Sequence, residues 1–290
     1  MYCSRYMLID ILQPSSFHPA RFYPVRLGDT LNGRYQLAIK LGYGSSSTVW
    51  LARDLNQWRW LRDKYVALKI TASVSSSPDN SVRTELDNVR RISEANPQHK
   101  GWPLVRHLLD YFTLESDLGG HLTLVFEPLR EPLWLFQQRY IGDVITSDLL
   151  KIMLQMILLG LDYLHSECHI ITPITDFDLS VPGDRPNSGC IQAEIYRAPE
   201  VIFDAGFSYS AEIWSLGIML WDVLEGKRLF RDFDQTQEYD DTNHLAHLIA
   251  LLGPPQRTSY PRGKGFIFFM DPRGTSKAQP LSRRLSVSTI

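Results

Sequence analysis

The dominant spacing of apolar residues along this chain changes from a period near two to a period near 3.6 at Pro128 and Pro132. Before it, strand signals dominate: Gln36 to Leu41, Thr48 to Ala52, Tyr65 to Ile70 and His121 to Phe126, each bounded by Gly, Ser or Asp. Between them, Thr84 to Ser93 places Leu86, Val89 and Ile92 at helical spacing. After the prolines come helices. Ser147, beside Asp148, is positioned to cap a long helix whose Leu150, Leu154, Ile157, Leu161 and Leu164 form an apolar face ending near His165. A second helix is expected from Ser210 to Glu225, stopping at Gly226, and a third from Asn243 to Leu252 before Gly253-Pro254-Pro255. The order predicts an α+β fold: a β-rich lobe, residues 31–127, then a helical lobe, residues 130–255, with a ligand cleft expected between them.

Composition limits what such a fold can do. With 44% hydrophobic and 21% charged residues among 290, the chain can bury a sizeable core. Thirty Lys and Arg against 32 Asp and Glu leave a net charge of −2, so no overall field draws it to nucleic acid or anionic lipid. Cys3, Cys168 and Cys190 lack the spacing of a disulfide framework or a zinc site, which fits a reducing cytoplasmic or nuclear compartment. Met7 to Leu12 is interrupted by Asp10 and lacks a cleavage site, so no signal peptide is expected. No run approaches the ~18 to 20 apolar residues of a membrane span. Residues 1–30 have no clear period and are expected to form a partly ordered extension. Residues 256–290, with seven Lys or Arg and one acid, are expected to form a basic, mostly unstructured tail.

The residues that carry chemistry come in order. Leu41-Gly42-Tyr43-Gly44-Ser45-Ser46-Ser47-Thr48-Val49 lies between two strands, where glycines let backbone N–H groups approach a phosphate. By itself a glycine pair in a hairpin is more often only a turn. Val66-Ala67-Leu68-Lys69 then puts a lysine on an apolar strand, where its ammonium needs an anion or a carboxylate. Glu85, on the short helix with Leu86, Val89 and Ile92 on its buried side, can supply that carboxylate; Asp87 and Asn88 are the alternatives if the helix register differs. Asp176-Phe177-Asp178, Ala198-Pro199-Glu200 and Glu212-Ile213-Trp214-Ser215-Leu216-Gly217 follow.

In this order and approximate spacing the segments resemble the protein-kinase signature set from about Pro24 to Pro255. The chain looks most like the serine/arginine-rich protein kinases, fungal members in particular. Tyr23-Pro24-Val25-Arg26-Leu27-Gly28-Asp29, Lys40 to Gly44, Ser47 to Asp54, Gly160-Leu161-Asp162-Tyr163-Leu164-His165 and Ile195 to Glu200 carry that likeness, with Ser47 at the third glycine position. The resemblance implies a bilobal kinase fold that transfers phosphate from ATP to serines of Arg/Ser-rich proteins. It implies Gly42 and Gly44 over the phosphates, Leu41, Val49 and Ala67 around the adenine, and Lys69 on the α- and β-phosphates while paired to Glu85. Phe126 would guard the back of the adenine pocket, Glu127 and Leu129 would belong to the hinge, and Asp176 would bind Mg²⁺.

One part of the pattern is missing. In such kinases an apolar pair runs into H-x-D, with Lys two residues later and Asn five residues later; here Ile170-Ile171 is followed at once by Thr172-Pro173-Ile174-Thr175-Asp176. No catalytic residue is retained. The general base, its lysine and the second metal ligand go together, which should remove most of the rate. Thr175-Asp176 could instead be the H-x-D remnant, but no Lys or Asn follows at the required offsets. Asp178 replaces the D-F-G glycine. Glu212 stands where the helix aspartate bonds the catalytic-loop backbone, and its extra methylene is expected to misplace the carboxylate. The helical lobe is expected to be incomplete after Pro255. A deletion or a mis-spliced gene model each explains a loss at one junction, and a pseudokinase binding or scaffold module and a non-functional truncated product are the alternatives. Asp232, Asp234, Glu238, Asp240 and Asp241 form either a docking groove for Arg/Ser-rich substrates or a solvated acidic loop.

Overall fold

The structure, a computed structural model, describes residues 21–253 except 45, 59, 61, 74–79, 118, 141–144, 173–179, 190 and 231–239. Asp176, Asp178, Cys190, Asp232, Asp234, Glu238, most of the N-terminal extension and the basic tail therefore lie outside the described residues. The chain divides into two units, Met1–Glu94 with Val105–Arg130, and Ala95–Leu104 with Glu131–Ile290.

The first unit is a six-stranded antiparallel sheet. Its strands are β1 (Thr30–Leu31), β2 (Tyr35–Tyr43), β3 (Ser47–Asp54), β4 (Tyr65–Thr71), β5 (Leu108–Ser116) and β6 (Gly119–Phe126), in the spatial order β1-β2-β3-β4-β6-β5. Strand alternation sorts the side chains: Tyr35, Leu37, Trp50, Ala52, Val66, Leu68, Ile70 and Val125 form a core on one face. On that core lie Tyr23 and Val25 from the segment before β1, which is further tied by Ser73 N donating to Arg21 O at 2.6 Å. Helix α1 (Asn80–Glu94) begins four residues before its apolar period and covers the other face, where Leu86 and Val89 meet Leu124 and Phe126. Strand β5 departs from the sequence expectation. Its Leu109 and Tyr111 are exposed at the sheet edge, so its apolar residues do not sort cleanly into one buried set.

Polar ties close this unit. Arg34 holds both oxygens of Asp54 at 2.8 Å and reaches Asp110 at 3.3 Å, while Tyr35 Oη donates to Asp110 at 2.8 Å. The guanidinium holds the Asp54 carboxyl below its usual range, and burial pushes the Tyr35 phenol up.

The second unit contains α2 (Leu133–Gln137), α3 (Ser147–Ser166), β7 (Ile170–Ile171) paired antiparallel with β8 (Val181–Pro182), α4 (Pro199–Ile202), α5 (Ser210–Glu225) and α6 (Asp241–Leu252). Thr146, not Ser147, is the N-cap of α3, and no side-chain bond caps it; Ser147 already has helical geometry. By length and composition alone α3 could cross a membrane, although Asp148, Lys151 and Asp162 interrupt its apolar run. Its last turns are core: Gly160, Leu161, Tyr163 and Leu164 are buried. The turn at Gly101 lies so close to α3 that a Cβ there would stand 1.9 Å from Leu159 O. Helix α5 has the predicted ends, stopped by Gly226 at φ +61°. Helix α6 starts two residues early because Asp240 caps it, accepting from Thr242 N at 3.1 Å.

Two apolar clusters hold this unit, one around Phe203, Ile218, Phe230, Leu245 and Leu248, the other around Ile171, Ile191, Val201 and Phe207. Elsewhere apolar stripes face outward: Ile152, Met156 and Leu159 on α3, and Ile213, Trp221 and Leu224 on α5, are exposed.

Candidate functional site

Sheet register builds the first half of the site. Val49 stands opposite Lys69, Leu51 opposite Ala67, and Ala67 and Lys69 opposite Phe126 and Leu124, so all share the face away from Tyr35 and Trp50. Lys69 Nζ donates to Glu85 Oε1 at 2.7 Å, and both residues are buried. The helix register therefore selects Glu85 over Asp87 and Asn88. Burial of either partner alone would leave an uncompensated group in the core, which the 2.7 Å contact between them avoids.

The glycine hairpin leads onto this face. Gly42 pairs with Val49, and Gly44 N donates to Ser47 O at 2.8 Å, closing the turn. Neither glycine has a left-handed φ, and a Cβ on either would meet nothing within 4 Å. The hairpin itself thus does not require glycine at these positions, unlike Gly28 or Gly33 at φ +91° and +61°. Lys40 lies over the rings of Tyr43 and Trp50 at 4.9 and 6.0 Å. Leu41, Glu127 and Leu129 are exposed; Phe126 is buried, with Arg106 stacked on its ring at 4.1 Å.

The second constellation surrounds the junction after Ile171. Glu212, 2% exposed in the first turn of α5, accepts from Thr172 N at 2.7 Å with one oxygen and bonds His165 Nε2 with the other. Burial raises the carboxyl's pKa, opposed by His165 and by the Thr172 amide. Ser180 Oγ donates to Thr172 Oγ1 at 2.8 Å, and the Tyr209 ring lies 4.4 Å from that of His165. The carboxylate expected to be misplaced is fully engaged, because its extra methylene reaches the backbone that now follows β7. His165 was legible as the end of an apolar face and of the family-like Gly160 to His165 segment, but its spacing from α5 carries no sequence signal.

The Ala198-Pro199-Glu200 segment is anchored to α5. Gln192 accepts from Ala198 N at 2.7 Å and donates to Ser215 Oγ at 2.7 Å and to Ala211 O. Ser210 Oγ donates to Glu200 at 3.1 Å. Two of the five clustered acids have partners of their own: Asp240 caps α6, and Asp241 pairs with Arg197 at 2.7 Å. Among the described residues no three His, Cys, Asp or Glu side chains are grouped to hold a metal ion.

Comparison with known proteins agrees with this architecture. The protein kinase domain family matches residues 172–272, starting at the first residue after the junction and continuing past Pro255, where the resemblance was expected to end. A serine/threonine protein kinase of Aspergillus fumigatus is 34% identical over 285 residues, covering 82% of this chain and 70% of the relative. The serine/threonine-protein kinase SRPK of Physarum polycephalum is 26% identical over 329 residues, covering 88% and 75%. That alignment is longer than the chain, so the relative contains segments with no counterpart here. The SRSF protein kinase 3 of Mus musculus is 32% identical over 160 residues, 54% of this chain and 27% of the relative. The chain belongs to the protein kinases of the SRPK family, with the bilobal kinase fold and serine/threonine specificity class that membership carries.

Proposed function

We propose that this chain binds ATP but transfers its phosphate poorly, and that it recognises Arg/Ser-rich proteins, as a family member working mainly through binding. The observation that carries the reading is the buried Lys69–Glu85 pair, retained although the catalytic block is missing from the sequence. Protein kinases in general use ATP with Mg²⁺, which shields phosphate charge and aligns the transferred group. The residues present suit the nucleotide: Gly42 and Gly44 leave open space where a Cβ would stand. Lys69, oriented by Glu85, would hold the α- and β-phosphates. Leu41, Val49 and Ala67 would line the adenine site, with Glu127 and Leu129 offering hinge backbone. Asp176 would be the remaining metal-binding residue.

Poor transfer follows from the chemistry that remains. The sequence lacks the catalytic-loop aspartate that would accept the proton of an attacking serine hydroxyl, and without the asparagine one metal ligand is lost. Recognition of arginine-rich partners would rest on Asp232, Asp234 and Glu238, since Asp240 and Asp241 already have intrachain roles. The cysteine pattern supports a cytoplasmic or nuclear setting.

Titration of a fluorescent ATP analogue into the parent and Lys69→Met forms tests the binding half; saturable binding to the parent alone is expected, and equal affinities would overturn it. Labelled-phosphate incorporation into an Arg/Ser-repeat peptide tests the other half. We expect a rate below about a thousandth of a competent kinase's, and robust incorporation abolished by Asp176→Ala would revive Asp176 as the base.

A further inference from the structure

We infer that Glu212 and the shortened segment after Ile171 are matched: the glutamate is the length the fold needs once the catalytic block is gone. The inference rests on the reading that the block is missing, and not on nucleotide binding. Three observations support it. Both carboxylate oxygens are engaged, one by Thr172 N at 2.7 Å and the other by His165. The backbone partner is the first residue after the junction, continuing directly from β7. Finally, the surroundings are closed: Thr172 is 2% exposed, its hydroxyl accepts from Ser180, and the Tyr209 ring stacks beside His165.

An aspartate at position 212 would end one C–C bond sooner. Its carboxylate would then fall short of Thr172 N or of His165 unless α5 shifted, leaving a buried donor without its acceptor. Tight packing of Ala211, Ser215 and Leu216 on the same helix resists such a shift. In a chain with the block in place, the backbone near α5 would be longer, and the shorter acid would suffice. The shortened chain is therefore a settled structure with its own compensating side chain, rather than a kinase fold left open where residues were lost.

The test compares side-chain length against charge, and then length against the block. In the chain as it stands, Glu212→Asp should lower the thermal midpoint by about 5 °C and speed Thr172 amide exchange about tenfold or more. Glu212→Gln preserves length and an oxygen for Thr172 N, so it should retain most of that amide protection. With a block carrying the family's H-x-D, Lys and Asn inserted between Ile171 and Thr172, the preference should vanish or reverse, Asp equalling or exceeding Glu. Equal behaviour of Glu and Asp in the unmodified chain would overturn the inference. So would loss of Thr172 protection in Glu212→Gln as large as in Glu212→Asp, a result that can be read even if the lengthened chain does not fold. An equal advantage of Glu in both lengths would also overturn it. Nucleotide binding and transfer are not read in any arm, so failure here is separate from failure of the proposed function.

Discussion

The two units hold themselves together differently. In the first, a continuous sheet buries one face on Leu37, Trp50 and Leu68 and the other under α1, and its charges pair in sets: Arg34 with Asp54 and Asp110, Lys69 with Glu85. Loss of any one contact leaves neighbours along the same strands. In the second, two apolar clusters are joined to irregular segments by a few buried polar residues, each with more than one partner, while apolar stripes on α3 and α5 face outward. The difference suggests that regular pairing spreads stability over many residues, whereas irregular segments concentrate it in single side chains such as Gln192 and Glu212.

Breaking Gln192 should give the largest effect. Gln192→Leu leaves Ala198 N, Ala211 O and Ser215 Oγ without this partner, and should cost about 3 kcal/mol in urea unfolding. A loss below about 0.5 kcal/mol would mean that the segment is held elsewhere.

Acid should act next, and on the same unit. Burial pushes the His244 imidazole down to about 4, where its ring lies tilted against Phe230 with centroids 4.7 Å apart; His247 shifts the same way. Because the folded pKa lies below the unfolded 6.5, this contribution is complete above pH 6.5 and is lost as pH falls toward 4. Denaturation between pH 7 and 4.5 should reveal on the order of 2 kcal/mol from this residue, removed in His244→Phe, whose stability should depend less on pH.

In the first unit, Asp54→Asn keeps the shape and one acceptor for Arg34 but removes the charge. It should cost only about 1 kcal/mol, read from the urea midpoint at unchanged m. A loss matching that of Gln192→Leu would contradict the contrast. Smallest of all should be Leu224→Gln on the outward stripe of α5, 55% exposed, with a change within about 0.5 kcal/mol. A larger destabilisation, or a change in sedimentation, would mean that something covers the stripe.

Much of the fold could be read from residue spacing where one period dominates. The ends of α5 followed from its apolar run and Gly226, and Glu85 followed from the buried side marked by Leu86, Val89 and Ile92. Strand β5 was missed because apolar and polar residues do not alternate in its sequence: Leu109 and Tyr111 occupy exposed positions of an edge strand whose exposure itself alternates. The cap of α3 was misplaced by one residue, since Thr146 and Ser147 are both suitable and backbone geometry decides. The bonds of Glu212 were illegible for a different reason: Glu212 and His165 lie 47 residues apart, and no local pattern sets the distance between them.

The first unit is not one stretch of chain. After α1 the backbone leaves for residues 95–104, where Gly101 is pressed against α3, and returns for β5 and β6. A cut between Glu94 and Val105 divides the sheet, whereas a cut after Arg130 keeps all six strands. A fragment ending at Glu94 would leave β4 without β6 beside it, with the backbone groups from Ala67 to Ile70 that β6 engages open to any strand they meet. Truncation at Glu94 should therefore yield self-pairing, insoluble material, whereas a fragment that runs on to Arg130 keeps β6 on β4 and should stay soluble.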